Sequence, residues 1–554
     1  MKMQQLTEQL YVASQPVAAD MAQIAAVGVR AIVCNRPDGE AADQPGFREI
    51  ADAAQAAGLV AHYLPVTPGQ VSEQQAAEFD ALLQALPKPA LAYCRSGMRS
   101  TSLWGLAHAG RLPAAQIVSR AAACGYDLGA LARRLEAGAE SFAVSDASHQ
   151  VVIVGGGAAG IAVAASLLAR DATLDVAIID PADVHYYQPG WTLVGAGVFE
   201  PPQTARVMGA LIPRGVRWIK SAVSGFVPEH NLVLLEGCRT VRYQQLVVCP
   251  GLKLNWDAIA GLGDTLGRNG VTSNYRYDLA PYTWELVRQF RGGQALFTQP
   301  PMPIKCAGAP QKAMYLSCDT WRRNGVLANS QVRFMSAGAV LFGVADYVPA
   351  LMEYVQAYGI GLQFGRTLIA VDGPARIATF RYTDADGTVH DEQLPFDLLH
   401  VVPPQIAPDF VRSSPLADAA GWIDVDQATL RHKRFRNIFG LGDAGNSPNA
   451  KTAAAARKQA PVVAHNVLFN LGAAAREARY DGYGSCPLTV ERGKIVLAEF
   501  TYGGKLAPSF PAWLLVGTRP SQLAWLLKER ILPPLYWQGM LKGHEWMAQP
   551  ELVG

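Results

Sequence analysis

Two cysteines stand where the chain could make their sulfur reactive. Cys94 follows the apolar run Ala90-Leu91-Ala92-Tyr93 and opens the loop Cys94-Arg95-Ser96-Gly97-Met98-Arg99-Ser100, ahead of a helical stretch from Thr101. A thiol in a tight loop before a helix gains backbone N–H donors and the positive end of the helix dipole. Both lower its pKa, and the thiolate is the nucleophile. Arg95 and Arg99 add positive charge and can fork onto an oxyanion. Cys306 lies in Thr298-Gln299-Pro300-Pro301-Met302-Pro303-Ile304-Lys305-Cys306-Ala307-Gly308-Ala309-Pro310-Gln311-Lys312, just past the strand-like Gly293-Gln294-Ala295-Leu296-Phe297. A fold with two dinucleotide sites would place its second glycine-rich loop there. Prolines and a thiol in that place imply electrons arriving from sulfur.

One nucleotide site is well formed. Val151-Val152-Ile153-Val154 runs into Gly155-x-Gly157-x-x-Gly160, with Ala158 and Ala159 opening an alanine-rich helix. The first glycine makes the turn, the second admits a pyrophosphate, and the third lets helix and strand pack. Asp180 ends the next strand, Val176 to Ile179, where a ribose hydroxyl needs an acceptor. Leu246-Val247-Val248-Cys249-Pro250-Gly251 resembles the mid-chain glycine turn of the two-dinucleotide flavoproteins. Asn437-Ile438-Phe439-Gly440-Leu441-Gly442-Asp443-Ala444 resembles their late motif, whose aspartate binds the ribityl chain of FAD.

Positioning these groups takes an α/β chain of several parts. The 554 residues suffice for about three domains. Residues 1–138 read as a phosphatase-like α/β domain, 139–149 as a linker, and 150–510 as an FAD-dependent oxidoreductase of two Rossmann-like domains. Residues 511–554 read as amphipathic helices at a membrane surface, with quinone access. A net charge of +2 points to no nucleic acid partner. The eight cysteines have neither zinc-type spacing nor the density of a secreted framework, so no metal is expected. Met1 to Leu10 has no apolar signal core, and no apolar run is long enough to span a bilayer. The expected location is cytoplasmic, on the inner face of a membrane. A homo-oligomer is compatible with the sequence, which does not fix the assembly.

Two resemblances sharpen this reading. The Cys94 loop is similar to those of tyrosine-phosphatase-like and rhodanese-like domains. Phosphatases place their arginine where Ser100 stands; Arg99 gives the shorter rhodanese spacing, and His62-Tyr63-Leu64-Pro65-Val66-Thr67 has no acidic proton donor. With Ser14-Gln15-Pro16 and Asn35-Arg36-Pro37-Asp38-Gly39-Glu40, the domain resembles single-cysteine sulfurtransferases, and that resemblance implies persulfide chemistry at Cys94 with Arg99 beside it.

From about residue 150 to 545 the chain resembles the mitochondrial-type sulfide:quinone oxidoreductases. The resemblance rests on His185-Tyr186-Tyr187-Gln188-Pro189-Gly190-Trp191, on Lys305 to Lys312, on Lys451-Thr452-Ala453-Ala454-Ala455, and on Tyr480-Asp481-Gly482-Tyr483-Gly484-Ser485-Cys486-Pro487-Leu488. It implies FAD, with Gln188 and Pro189 beside the flavin and Lys451 stabilising its anionic reduced form. It implies sulfide as substrate, a sulfane sulfur held on Cys306, and quinone as electron acceptor. It also implies a second redox cysteine after the Gly-Asp motif, where this chain has Ala444. Three repairs stay open: Cys306 reacting alone, Cys249 lying near the cofactor, or Cys94 exchanging sulfur with Cys306. Cys486 has no redox role on this reading. The sulfur would leave to a small thiol or through Cys94, and a small-molecule persulfide could replace sulfide as substrate. Two other readings remain, a persulfide-sensing flavoprotein and an NADH:quinone reductase.

Overall fold

The computed structural model describes residues 3–553, apart from 42, 68–70, 110, 132–133, 136–146 and 237–238. Most of the expected linker, and Cys238, lie outside the described residues. The chain forms two compact units: Met1–Ala147 with Gly225–Val241, and Ser148–Ser224 with Arg242–Gly554. The sequence division near residue 145 falls close to the first boundary. The return of 225–241 to the first unit has no local sequence signal.

In the first unit the strands Ala31–Cys34 and Ala90–Tyr93 are buried at every residue. Such short apolar runs suit the centre of a parallel sheet covered on both faces. The sheet order runs Met3–Thr7, Leu10–Ala13, Ala90–Tyr93, Ala31–Cys34, Val60–Tyr63, parallel except for the edge hairpin. Cys94 therefore leaves the carboxyl end of the middle strand, where α/β sheets place their ligand sites. Val227, Leu232 and Leu234 complete one of this unit's apolar cores.

The second unit holds two parallel sheets. In one, Ala147–Val154 pairs in register with Val176–Ile179, which pairs with Arg217–Ile219. Thr240–Val248 flanks it on the other side and pairs with Ile438–Gly440. In the other, Val271–Thr272, Leu398–His400, Gly293–Gln299, Ser330–Ser336 and Gly361–Phe364 follow in that order. Helix Ala309–Arg323 packs against the antiparallel pair Gly484–Glu491 and Lys494–Phe500. The tail from Gln522 to Lys542 is a chain of short helical pieces that includes two π-helical turns. Its second half is core rather than surface: Tyr536, Trp537, Met540 and Leu541 pack into the cluster around the fingerprint helix. The expected pair of interfacial helices is thus reduced to the first half, because the aromatic rings of the second half find apolar partners inside.

Candidate active site

The three glycine motifs meet at one place. A Cβ on Gly155 would lie 2.5 Å from the carbonyl oxygen of Cys249, so the fingerprint and the mid-chain turn are in backbone contact. A Cβ on Gly160 would lie 1.9 Å from the Gly155 carbonyl oxygen, so no larger residue fits there. A Cβ on Gly442 would reach within 3.4 Å of Ala159. Gly157, by contrast, faces open space, as a pyrophosphate cradle requires. Asp180 accepts from the N–H of Gly156 at 2.6 Å and of Ala182 at 2.8 Å, which fixes its carboxylate against the glycine turn. Burial lifts the Asp443 carboxyl, against the pull of Lys451 and Lys305. A ribityl hydroxyl donating to Asp443 would ease that burial. Gly251 is also open on its Cα side. These residues fit FAD.

Lys451 is not a solvated capping lysine. Its side chain is buried and donates to the carbonyl oxygens of Asp443 at 2.8 Å and Gly445 at 2.7 Å, with its ammonium 4.2 Å from the centre of the Trp422 ring. Burial pulls its pKa down to about 8, opposed by Asp443. It pins the Gly-Asp loop. Lys305 is the other cation here. It donates to the Gln188 amide oxygen at 2.6 Å and faces the rings of Trp191 and Tyr275, joining the Gln188–Pro189 turn to the cysteine segment.

Cys306 is held from several sides. Its N–H donates to the Lys451 carbonyl at 2.8 Å, its carbonyl accepts from Ala309 at 2.7 Å, and Tyr275 donates to Lys305 O at 3.0 Å. Its φ of 50° lies in the left-handed region, uncommon for a side chain with a Cβ and a mark of functional sites. Helix Ala309–Arg323 begins three residues on and turns its positive end toward the thiol.

A second thiol stands beside Cys306. Cys486 Sγ, on the strand Gly484–Glu491, lies 3.6 Å from Cys306 Sγ, while position 444 holds an alanine. Gly308 makes the approach possible: a Cβ there would lie 2.6 Å from Cys486 Sγ and 2.3 Å from Leu488 Cδ2. Lys312 is buried one helical turn into the site and donates to Cys306 Sγ at 3.1 Å. The Cys486 thiol, together with Lys312, holds Cys306 well below the usual thiol range despite burial. The same contact pushes Cys486 well above it. Burial opposes the Lys312 charge, yet the two sulfurs hold its pKa above that of a free lysine. Lys528 of the tail is buried within Coulombic range of both thiols; burial and Lys312 depress its pKa to about 7. The motif around Cys486 was legible, but its place across 180 residues of sequence was not.

Cys306 does not stand alone, and Cys249 is a buried thiol beside the nucleotide turn, with its Sγ 3.7 Å from the Gly155 carbonyl oxygen. Burial lifts the Cys249 pKa, which keeps it an inert thiol. In the first unit, Cys94 is buried and accepts from the Gly97 N–H at 3.1 Å. Arg99 does not point a free fork at the loop; it donates to Val66 O and to Glu40, each at 2.8 Å.

A nucleotide cradle beside a paired thiol on a two-sheet α/β scaffold defines a thiol-dependent flavoprotein oxidoreductase. Residues 149–283 accordingly match the pyridine nucleotide-disulphide oxidoreductase family profile. The chain belongs to the sulfide:quinone oxidoreductase family. It is 39% identical over 406 residues to the mitochondrial sulfide:quinone oxidoreductase of Dictyostelium discoideum, covering 73% of this chain and 88% of that one. With the Mus musculus enzyme it shares 37% over 396 residues, 72% and 87% of the two chains. The crystal structure of the sulfide:quinone oxidoreductase from Aquifex aeolicus superposes with a TM-score of 0.60 at 17% identity, covering 73% of this chain and 97% of that one, and so shares the fold. Residues 2–111 match the phosphatase-like domain of beta-lactamase hydrolase-like proteins. The Agrobacterium fabrum member is 34% identical over 138 residues, which is 24% of this chain and 32% of that protein.

Proposed function

We propose that the chain oxidises sulfide to sulfane sulfur and delivers the electrons to a quinone. The observation that carries this is the Cys306–Cys486 pair, 3.6 Å apart, with Lys312 on Cys306 at 3.1 Å. Bound FAD would supply the two-electron carrier between the thiols and the quinone. The gap exceeds the about 2.05 Å of an S–S bond, so joining the two sulfurs takes a small closing movement and the loss of two electrons with the thiol protons, electrons that bound FAD would accept. Hydrosulfide then attacks that bridge. Attack at Cys306 leaves the incoming sulfur there as a persulfide, with Lys312 3.1 Å from Cys306 Sγ, and Cys486 departs as a thiolate. An acceptor thiolate takes the outer sulfur, Cys306 returns to a thiolate, and closing the bridge again releases two electrons. Lys528 and Lys312 supply positive charge that draws the anionic substrate inward.

Anaerobic mixing with sulfide is expected to bleach the flavin absorbance, with recovery on adding a soluble quinone. NADH is expected to leave the spectrum unchanged, because prolines and Cys306 occupy the second nucleotide loop. Bleaching by NADH, or none by sulfide, would sink the proposal.

The working division is 1–138, 150–510 and 511–554, with 225–241 returning to the first unit. Among the described residues no helix is long and apolar enough to cross a membrane. Trp513 (84% exposed), Leu514, Val516, Leu523, Leu526 and Ile531 instead present apolar surface around the first half of the tail. Such a face suits a peripheral hold on lipid, where a lipid-soluble quinone is found. A Trp513→Ser, Leu526→Ser double variant is expected to lose co-sedimentation with liposomes while keeping turnover on soluble quinone. Unchanged sedimentation would count against membrane docking. In the first unit, Cys94 receives sulfane sulfur as a persulfide.

A further inference from the structure

The arginine of the Cys94 loop has its charge already taken. Arg99 is buried and donates to the Val66 carbonyl oxygen and to Glu40 Oε2, each at 2.8 Å. The same Glu40 oxygen accepts from the buried Arg36 Nε at 2.7 Å. Arg36 also reaches Gln15 Oε1 at 3.4 Å, and Ser100 donates to Asn35 Oδ1 at 2.8 Å. The segment from Asn35 to Glu40 is thereby bound to the helix that starts after Cys94. Glu40 Oε1 is out of reach of water and has no hydrogen-bond partner among the described residues. Hydrogen bonding from Arg99 keeps the Glu40 carboxyl below its usual range, so it stays ionised.

We propose that Glu40 determines the specificity of this site: its carboxylate fills the place on Arg99 that an oxyanion would take, so the loop receives the sulfane sulfur of a small-molecule persulfide and rejects phosphate, sulfate and thiosulfate. The inference rests on Cys94 being a sulfur acceptor. An incoming oxyanion would have to displace Glu40 and leave a partly buried carboxylate without its two arginines, or share the site with a like charge; both are costly. Rejection of a competitor by an unpaired buried charge is a common route to selectivity. Sulfur transfer needs no such anchor. The Cys94 thiolate attacks the outer sulfur of R–S–SH, the donor S–S bond breaks, and R–S⁻ leaves with the proton as R–SH. Cys94 keeps the sulfur as a persulfide anion. The negative charge stays on sulfur throughout, and no oxygen of a leaving group has to be held.

Hydrogen–deuterium exchange of the loop 94–101, in the full chain with and without inorganic phosphate, tests this. In the wild type and in Glu40→Asp, phosphate is expected to leave the exchange unchanged. In Glu40→Gln it is expected to slow it, because Arg99 is then free to fork onto the anion. Glu40→Ala serves if the amide variant does not fold. Slowing in the wild type overturns the proposal. So does its absence in a variant that keeps wild-type exchange over Ala31–Cys34 and Ala90–Tyr93. The mass of the wild-type Cys94 peptide after treatment with glutathione persulfide is read separately. One added sulfur supports the acceptor reading. No added sulfur removes that reading and the persulfide half of the proposal, while the phosphate result still decides whether Glu40 blocks Arg99.

Discussion

Replacing Cys486 with serine is expected to lower kcat/KM for sulfide by about a thousandfold or more, as losing one member of a catalytic pair does. The serine hydroxyl fits the space but cannot close a bridge to the Cys306 sulfur 3.6 Å away. Cys306→Ser should fall as far, and the double variant little further, because the pair acts as a unit. A persulfide trapped by mass spectrometry should be found in the wild type and in neither single variant, because without the bridge hydrosulfide has no S–S bond to attack. Near-normal turnover in Cys486→Ser would return the chemistry to Cys306 alone.

Lys312→Met is expected to raise the apparent pKa of Cys306, the usual effect of removing an opposite charge within a few ångströms. The sign follows from the geometry. Wild-type Cys306 lies well below the usual thiol range beside Lys312, so its alkylation rate should be flat through neutral pH. In the variant the thiolate fraction falls near neutrality, and the rate should climb as pH rises. Sulfide oxidation should drop with it, and Lys312→Arg should recover part of both. A flat alkylation profile in Lys312→Met would assign the acidity of Cys306 to Cys486 alone.

The fold was largely open to reading from local pattern. Gly155, Gly157 and Gly160 follow an apolar strand, and Asp180 ends the next one; these are short-range signals, and the structure places them as spaced. Cys306 was found from what its loop lacked. The thiol pair was not legible, because its two members come from a loop and a distant strand that meet only through packing of helix Ala309–Arg323. Lysine roles were blurred for a similar reason. Lys451 and Lys312 lie in equally basic, helix-leading motifs, and only the folded carbonyl and sulfur partners separate a loop pin from a thiolate counter-ion. The tail mixes tryptophan, leucine and cations along its whole length, so composition could not tell the residues that dock inward, such as Trp525, Lys528 and Trp537, from those that face out, such as Leu523, Leu526 and Ile531.

The N-terminal unit is not a bead that can be cut from the string. Its apolar core takes Val227, Leu232 and Leu234 from a segment that follows the nucleotide fingerprint by some seventy residues. On the ribosome the first 147 residues emerge without the strip that completes their core. They wait, with apolar surface open, until the strands carrying the flavin cradle have been made. Synthesis of the thiol-loop unit is thereby timed to the arrival of the redox unit, and a gene truncated after the linker would yield an unfinished core rather than a smaller enzyme.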